Sequence, residues 1–229
     1  MLAAVDDFVE RLQNYRSEGV FNPWKERDPQ HDLNARGAQV RAAQLRQYLR
    51  ERIGVADSLL CAEAIGYQGG HFSGIPMTSE RLLLGHLRHK QLLPEQVFTG
   101  IRPQRTSSPA VRKEGFTEPT ATVVWGFFAE HGINPYRVVL WNAFPWHPYH
   151  RHKGLLSNRT PTDGELACGH QVLLSLLELG GFTRVIAVGE KAARQLGALG
   201  VNAVKVRHPA NGGAGRFREQ LKSRLADRG

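Results

Sequence analysis

Loops at three places in the sequence carry side chains that can bind a planar base and break the bond that attaches it. In one of them, Asn142 ends the hydrophobic stretch "VVLW". A buried side-chain amide presents one acceptor and two donors in a plane, which complements the N3–H and O4 edge of uracil but not the opposite order of cytosine. Asn142 is therefore a candidate for recognising a base. The alternative is an Asn that caps a strand end or closes an Asx-turn.

His208 stands in a second loop, "RHPANGG". The Pro that follows it stiffens the backbone, and the glycines leave room for a ligand to approach closely. An imidazole donor beside O2 of a departing pyrimidine would stabilise charge that exists only late along bond breaking. A surface or capping histidine is the competing interpretation.

Glu63 belongs to the remaining loop, "AEAIGYQGGHFSGIPMTSE", which comes first along the chain and is named the first loop. A carboxylate at this place can orient or deprotonate a water for attack at a sugar C1′, and its negative charge can favour an oxocarbenium-like centre. An ion pair with one of the many arginines is the alternative role. Each of the three residues is a weak signal by itself, but all three lie at the ends of predicted strands.

Four short hydrophobic stretches predict the strands that position these loops, at 58–64, 137–143, 184–189 and 203–208. Apolar residues at helical spacing predict helices at 4–15, 36–53, 79–89, 120–131, 163–179, 190–196 and 214–226. Buried strands that alternate with helices predict an α/β fold, a three-layer α/β/α sandwich with a central, mostly parallel four-stranded sheet. In such sheets ligands bind beyond the carboxyl ends of the strands, so the loops are expected to meet there. The segment 102–119 is basic and aperiodic, which predicts a mobile loop.

The composition bounds the class of protein. With 229 residues we expect a single domain, 1–229, in which 1–53 form a helical N-terminal extension packed on the rest. A formal charge of +9 favours a polyanionic partner, above all nucleic acid, although a generally basic surface is the alternative. Two distant cysteines, Cys61 and Cys168, predict a reduced, cytoplasmic setting, and no apolar run reaches the roughly 20 residues that would span a membrane. The protein is further expected to be nucleoid-associated and monomeric.

The loops and their order resemble the motifs of the uracil-DNA glycosylase superfamily, particularly its thermophilic-type bacterial and archaeal branches. The first motif is matched by "AEAIG" at 62–66 and "GIPM" at 74–77, and the strand-end Asn by Asn142. The motif N-R-x-P-x-x-x-E is matched in full by "NRTPTDGE" at 158–165, and the last motif by "HPA" at 208–210. The combination is specific even though no single motif is.

The resemblance spans about residues 57–225 and departs from the family pattern at two positions. Family members stack an aromatic ring on uracil where this chain has Met77, whose sulfur packs less rigidly against a base. Phe72 or Phe144 is the expected substitute for that ring. Ile65 replaces the Pro of the first motif.

By resemblance, the chain is expected to be a monofunctional DNA glycosylase of base excision repair. It would flip uracil or a related deaminated base out of single- or double-stranded DNA and hydrolyse the N-glycosidic bond. The residues expected to act are Glu63 and His208 in catalysis, Asn142, Tyr67, Gln68, Met77 and Phe72 in base binding, and Arg216, Asn211, Gly212, His150, Arg151 and Lys153 in DNA binding.

Neither a metal nor another cofactor is expected. The iron-sulfur branch of the superfamily uses four cysteines, and only Cys168 falls near such a position. His147, His150 and His152 in "HPYHRH" are the alternative metal ligands, but they have no matched carboxylate or cysteine. Two other functions stay open, a non-catalytic protein that recognises altered bases in DNA and a small-molecule or nucleotide hydrolase.

Overall fold

A computed structural model of the chain describes residues 2–225. The strands are β1 (Val20–Phe21), β2 (Ser58–Ala64), β3 (Val138–Phe144), β4 (His147–Pro148), β5 (Arg184–Val188) and β6 (Val204–Val206). The helices are α1 (Leu2–Gln13), α2 (Gly37–Arg50), α3 (Gly70–Ser73), α4 (Glu80–Leu83), α5 (Pro119–Glu130), α6 (Asp163–Gly180), α7 (Glu190–Ala198) and α8 (Ala214–Leu225). Residue 1 of the predicted domain and residue 226 of the predicted last helix lie outside the described residues, as do 227–229.

The central sheet has the strand order β3-β2-β5-β6, and every neighbouring pair is parallel. In the register of its centre, Leu60 lies opposite both Leu140 and Ile186. All seven residues of β3 are buried, because helices cover both faces of a sheet of this kind. The predicted three-layer α/β/α sandwich around a four-stranded sheet is confirmed.

The helices pack closely on this sheet. α6 lies along β3, and a Cβ atom placed on Gly169 would be 2.4 Å from the carbonyl oxygen of Ala143, so the helix can approach this closely only through a glycine. α1 packs against α2 and α6, and the ring of Phe8 lies 5.5 Å from that of Trp141 in β3. No helix between residues 2 and 225 is long and apolar enough to cross a membrane.

The structure differs from the predicted elements at three places. The helix predicted at 79–89 is only α4, because Gly85 adopts a left-handed φ of 78° and the chain continues in turns. The first loop contains the short helix α3, which was not predicted. β1 and β4 were also not predicted, and they form a separate antiparallel pair with Phe21 opposite His147.

The basic segment 102–119 is irregular, as predicted, but its centre is anchored to the protein rather than mobile. Thr106 and Ser107 are buried, and their backbone N–H groups donate to the buried carboxylate of Glu80 over 2.6 and 2.8 Å. Asp32 also pairs with Ser107 through an isolated β-bridge. Buried polar groups with this many partners hold a loop in place.

Candidate active site

The three residues that the sequence singled out lie around one cavity. It has a volume of about 180 Å³, opens beyond the carboxyl ends of β2 and β3, and is lined by Glu63, Asn142 and His208. The parallel sheet explains this convergence, since Glu63 is in β2, Asn142 is in the neighbouring β3, and His208 follows β6. Met77 from the first loop lines the same cavity.

Two further compartments adjoin this cavity. One, of about 340 Å³, is lined by Gln68, Glu118 and Asn158 among others, and the second, of about 290 Å³, is lined by Lys191 and Asn211. His208 lines all three compartments. The imidazole therefore stands at the junction of the space available to a ligand.

The side-chain amide oxygen of Asn142 has no hydrogen-bond partner among residues 2–225. The residue is 2% exposed, and its Oδ1 atom is buried without a hydrogen-bond partner. Within residues 2–225 its side chain forms no capping or turn bond to the backbone. An unsatisfied buried acceptor costs about 1–3 kcal/mol, a cost that the N–H of a bound base would remove.

His208 is held in one tautomer by its own loop. Its Nδ1 atom accepts a hydrogen bond of 3.1 Å from the backbone N–H of Ala210, so the neutral ring carries its hydrogen on Nε2. Burial lowers the pKa of His208, and the positive charges of Arg207 and Lys191 lower it further. The side chain is thus a neutral N–H donor near pH 7.

Glu63 takes part in an ion pair, the alternative considered for it, although the partner is a lysine and not an arginine. It lines the cavity, and its Oε1 atom accepts from the Lys191 ammonium over 3.0 Å. Lys191 donates in turn to the hydroxyl of Thr160 over 2.8 Å. The ion pair ties the side chain of Glu63 to the start of α7.

A second carboxyl group, Glu118, lines the cavity and was missed by the sequence analysis. Glu118 is the residue before α5, and its Oε2 atom is buried without a hydrogen-bond partner, although the residue as a whole is partly exposed. Burial raises the pKa of Glu118 to about 7. In the sequence Glu118 is one of the acidic residues in the basic segment 102–119. The only signal beside it is Pro119, which indicates the start of a helix and not a functional residue.

The motif at 158–165 closes the site from the side of α6. Asn158 lines two of the compartments and accepts a 3.0 Å hydrogen bond from the backbone N–H of Tyr67, which ties the first loop to this motif. Arg159 binds both carboxylate oxygens of Glu165 over 2.6 and 2.7 Å. Thr162 and Glu165 form the capping box that begins α6. Asn158 was not predicted as a site residue, although the matched motif contains it.

The residues predicted to bind the base are separated by the structure. Met77, with a positive φ of 47°, lines the smaller cavity, and Gln68 lines the larger compartment. The ring of Tyr67 packs edge-on against Phe116 instead. Phe72 is fully buried, and its ring is stacked on that of Phe116 at 4.1 Å. Neither Tyr67 nor Phe72 is among the residues that line the described cavities.

Phe144, the other expected source of a stacking ring, is also fully buried, with its ring 5.3 Å from that of Trp146. The cavity of about 180 Å³ therefore has Met77 but no Phe, Tyr or Trp ring among its lining residues within the described range.

The residues predicted to bind DNA lie in two places at the surface. Asn211 and Gly212 form a turn with φ angles of 54° and 73°, and Arg216 is exposed in the first turn of α8. His150, Arg151 and Lys153 follow β4, and Arg151 forms an ion pair with Glu18. DNA binding by these residues stays a prediction.

The histidines of "HPYHRH" have different surroundings. His147 is fully buried, and its Nε2 atom lies 2.8 Å from the carbonyl oxygen of Ser157. The rings of His150 and His152 are 5.4 Å apart, and His152 is exposed. Among residues 2–225 no three His, Cys, Asp or Glu side chains are grouped as metal ligands.

The profile of the uracil DNA glycosylase superfamily matches residues 90–226. The chain belongs to the uracil DNA glycosylase superfamily. The matched range contains Glu118, Asn142, the motif at 158–165 and His208, whereas the first loop with Glu63 precedes it.

Comparison of structures supports the same fold for this superfamily member. The wild-type Pedobacter heparinus SMUG2 crystal structure is similar with a TM-score of 0.64, over 97% of each chain. The two sequences are 13% identical, so this likeness concerns the fold alone. A search of curated proteins found no match.

Proposed function

We propose that this protein is a monofunctional DNA glycosylase that removes uracil, or a related deaminated base, from DNA in base excision repair. The observation that carries the proposal is the buried, unpaired Oδ1 of Asn142 in a cavity shared with Glu63 and His208. Membership of the superfamily supports the same reaction class.

Selection of the base rests on Asn142. Its Oδ1 would accept from N3–H of uracil, and its Nδ2 would donate to O4. Cytosine offers a lone pair at N3 and a donor at C4, so both contacts would be mismatched. Each unmatched group costs about 1–3 kcal/mol, which is enough to reject cytosine, the commoner base in DNA. Met77 would pack on the face of the base through its sulfur.

Bond breaking rests on His208 and Glu63. The Nε2–H group of His208 would donate to O2 of the base, where negative charge develops as the N-glycosidic bond lengthens. The carboxylate of Glu63 would stabilise the positive charge on the sugar and orient the water. Because Lys191 pairs with Glu63, this carboxylate is held in position before the substrate binds.

DNA would be bound mainly through its phosphates. The formal charge of +9 favours a polyanion, and His150, Lys153 and Arg216 offer basic side chains at the surface. Extruding the base from a duplex costs a few kcal/mol, least in mismatches or single strands. We propose that the basic surface offsets this cost.

Excision assays on oligonucleotides that contain uracil, hypoxanthine, xanthine or ethenocytosine would test the function. Abasic sites are scored by alkali cleavage, in single and double strands, beside binding assays at several salt concentrations. We expect abasic product from at least one base and affinity that falls steeply with salt. Retention of DNA without abasic product from any base would favour the non-catalytic alternative. Binding that does not depend on salt would contradict both.

A further inference from the structure

Two carboxyl groups line the cavity, and their surroundings are opposite. Glu63 is engaged by the ammonium of Lys191 over 3.0 Å. Glu118 has an Oε2 atom that is buried without a partner. A pair of acids in such different environments is typical of sites in which one acts as a fixed charge and the other exchanges a proton.

Glu118 lines the cavity, and its side chain does not cap its own helix. Glu118 occupies the N-cap position of α5, but its side chain makes no capping hydrogen bond, and Pro119 removes one of the free N–H donors there. Space for the carboxyl group comes from Gly69, where a Cβ atom would lie 1.8 Å from Oε2. Two separate segments of the chain, at Gly69 and at the start of α5, therefore determine the position of the unpaired carboxyl group.

Among residues 2–225, none of the ionisable side chains that line this cavity neutralises Glu118. Arg159 is bound through two nitrogens to Glu165, and Lys191 is bound to Glu63. His208 is a neutral donor whose pKa is lowered by burial. Burial alone accounts for the raised pKa of Glu118, which is about 7. A base is most effective when its pKa lies near the working pH and a lone pair is free.

We propose that Glu118 is the general base that takes a proton from the attacking water. This inference rests on the proposed glycosylase function. As the C1′–N bond breaks, its electron pair leaves with the base, which is held as an anion by Asn142 and His208. The water oxygen bonds to C1′, and one of its protons moves to the carboxylate of Glu118. The products are an abasic sugar with a 1′-hydroxyl group and the base anion, which is protonated from Glu118 or solvent.

Single-turnover excision as a function of pH tests the proposal with the full chain. The wild-type rate is expected to rise with pH to a plateau above about 7, since only the carboxylate form accepts a proton. Glu118→Gln is expected to lower the plateau roughly 100-fold or more and to remove the rising limb. Glu63→Gln, the matched control, is expected to slow the reaction at every pH but to keep the rise of the rate with pH.

A second variant and a measurement without turnover cover the case in which Glu118→Gln folds poorly. Gly69→Ala keeps the carboxyl group but pushes it out of place, and it is expected to slow excision as well. In ¹³C NMR spectra of the wild-type protein labelled at glutamate, one side-chain carboxyl signal should titrate near pH 7, and Gly69→Ala should shift that titration. A wild-type spectrum in which every glutamate signal titrates near pH 4 would overturn the proposal.

The remaining outcomes separate this inference from the proposed function. If the wild type is active and Glu118→Gln has the same rate and pH profile, the inference alone is overturned. The inference alone is also overturned if Glu63→Gln, and not Glu118→Gln, loses the rise of the rate with pH. Absence of abasic product from the wild type with all four bases would overturn the function and the inference together.

Discussion

The Nδ1 atoms of His71 and His147 lie 2.9 Å apart between two fully buried rings. His147 Nε2 faces the carbonyl of Ser157 at 2.8 Å and must carry the hydrogen there, so its Nδ1 accepts from His71. On the far side, Asp28 Oδ2 lies 3.1 Å from His71 Nε2. This chain of contacts links the N-terminal segment, the first loop and the segment before Asn158. It thereby supports the loops that form the site.

Removing the imidazole at position 147 is expected to destabilise the fold. In His147→Leu, the carbonyl of Ser157 and the Nδ1 atom of His71 both lose their partner in a buried site. The loss for each such group is about 1–3 kcal/mol. Urea denaturation should therefore show a lower free energy of unfolding by about 2–6 kcal/mol. His152→Leu alters an exposed ring and is the control. Equal stability of the two variants would show that the buried contact contributes nothing.

The same histidine predicts how stability depends on pH. Burial, aided by the neighbouring His71, lowers the pKa of His147 to about 3, whereas in the unfolded chain it is about 6.5. Between these values the unfolded chain binds a proton that the folded chain does not, so the free energy of unfolding falls as pH decreases from about 6.5. Denaturation at pH 7.5 and 5.5 should show this fall in the wild type and a smaller one in His147→Leu. A slope unchanged by the substitution would assign the effect to other groups.

The sequence predicted the sheet well because its strands are buried on both faces. Such strands are continuous apolar runs bounded by turns, and β2 begins and ends where its run does. The position of Asn142 at the end of one run and of His208 beyond another was enough to bring them together, since parallel strands end at the same edge. β1 and β4 escaped prediction because a strand of two residues has no periodicity.

Glu118 could not be identified from its neighbours in sequence. What distinguishes it is burial without a partner, and that burial depends on Gly69 and the helix start at Pro119. Phe72 was wrongly expected to contact the base because the sequence shows an aromatic residue in the first loop. The sequence does not show that this ring is stacked on the ring of Phe116 instead. Partners that are distant along the chain decide both cases.

Asn142→Asp is expected to remove discrimination for uracil. The substitution replaces the donor Nδ2 with a second acceptor and places a carboxylate at a position that is 2% exposed. Loss of one matched group lowers binding of the flipped base by about 1–3 kcal/mol, or roughly 5- to 150-fold. Single-turnover excision from uracil and cytosine substrates measures the ratio. Wild-type selectivity in this variant would remove Asn142 from base recognition.

His208→Ala is expected to slow cleavage while leaving DNA affinity nearly unchanged. The Nε2–H donor acts on charge that develops as the bond breaks, so its loss affects the transition state more than the bound DNA. Removing one such donor lowers the rate by roughly 100- to 1,000-fold. Excision rates and binding to uncleaved DNA are measured together. A parallel loss of rate and affinity would instead indicate that His208 mainly binds DNA.

Gly189→Ala tests whether the position of His208, and not only its presence, matters. Gly189 has a φ of 92°, and a Cβ atom there would lie 3.1 Å from His208 Cβ, tighter than an ordinary contact. The added methyl group strains the backbone by about 1–2 kcal/mol and moves the imidazole. We expect slower excision with every reacting group still present.

Gly197→Ala provides the matched control for this substitution, because Gly197 lies within α7, the helix that begins directly after Gly189, and no atom lies within 4 Å of its added Cβ. It should leave the excision rate unchanged and raise stability by up to about 1 kcal/mol. Both rates are measured well below the unfolding temperature, so that a loss of folded protein does not imitate a loss of geometry. If Gly189→Ala folds and excises as fast as Gly197→Ala, then the site tolerates displacement of His208, and its role cannot depend on a fixed hydrogen bond to the base.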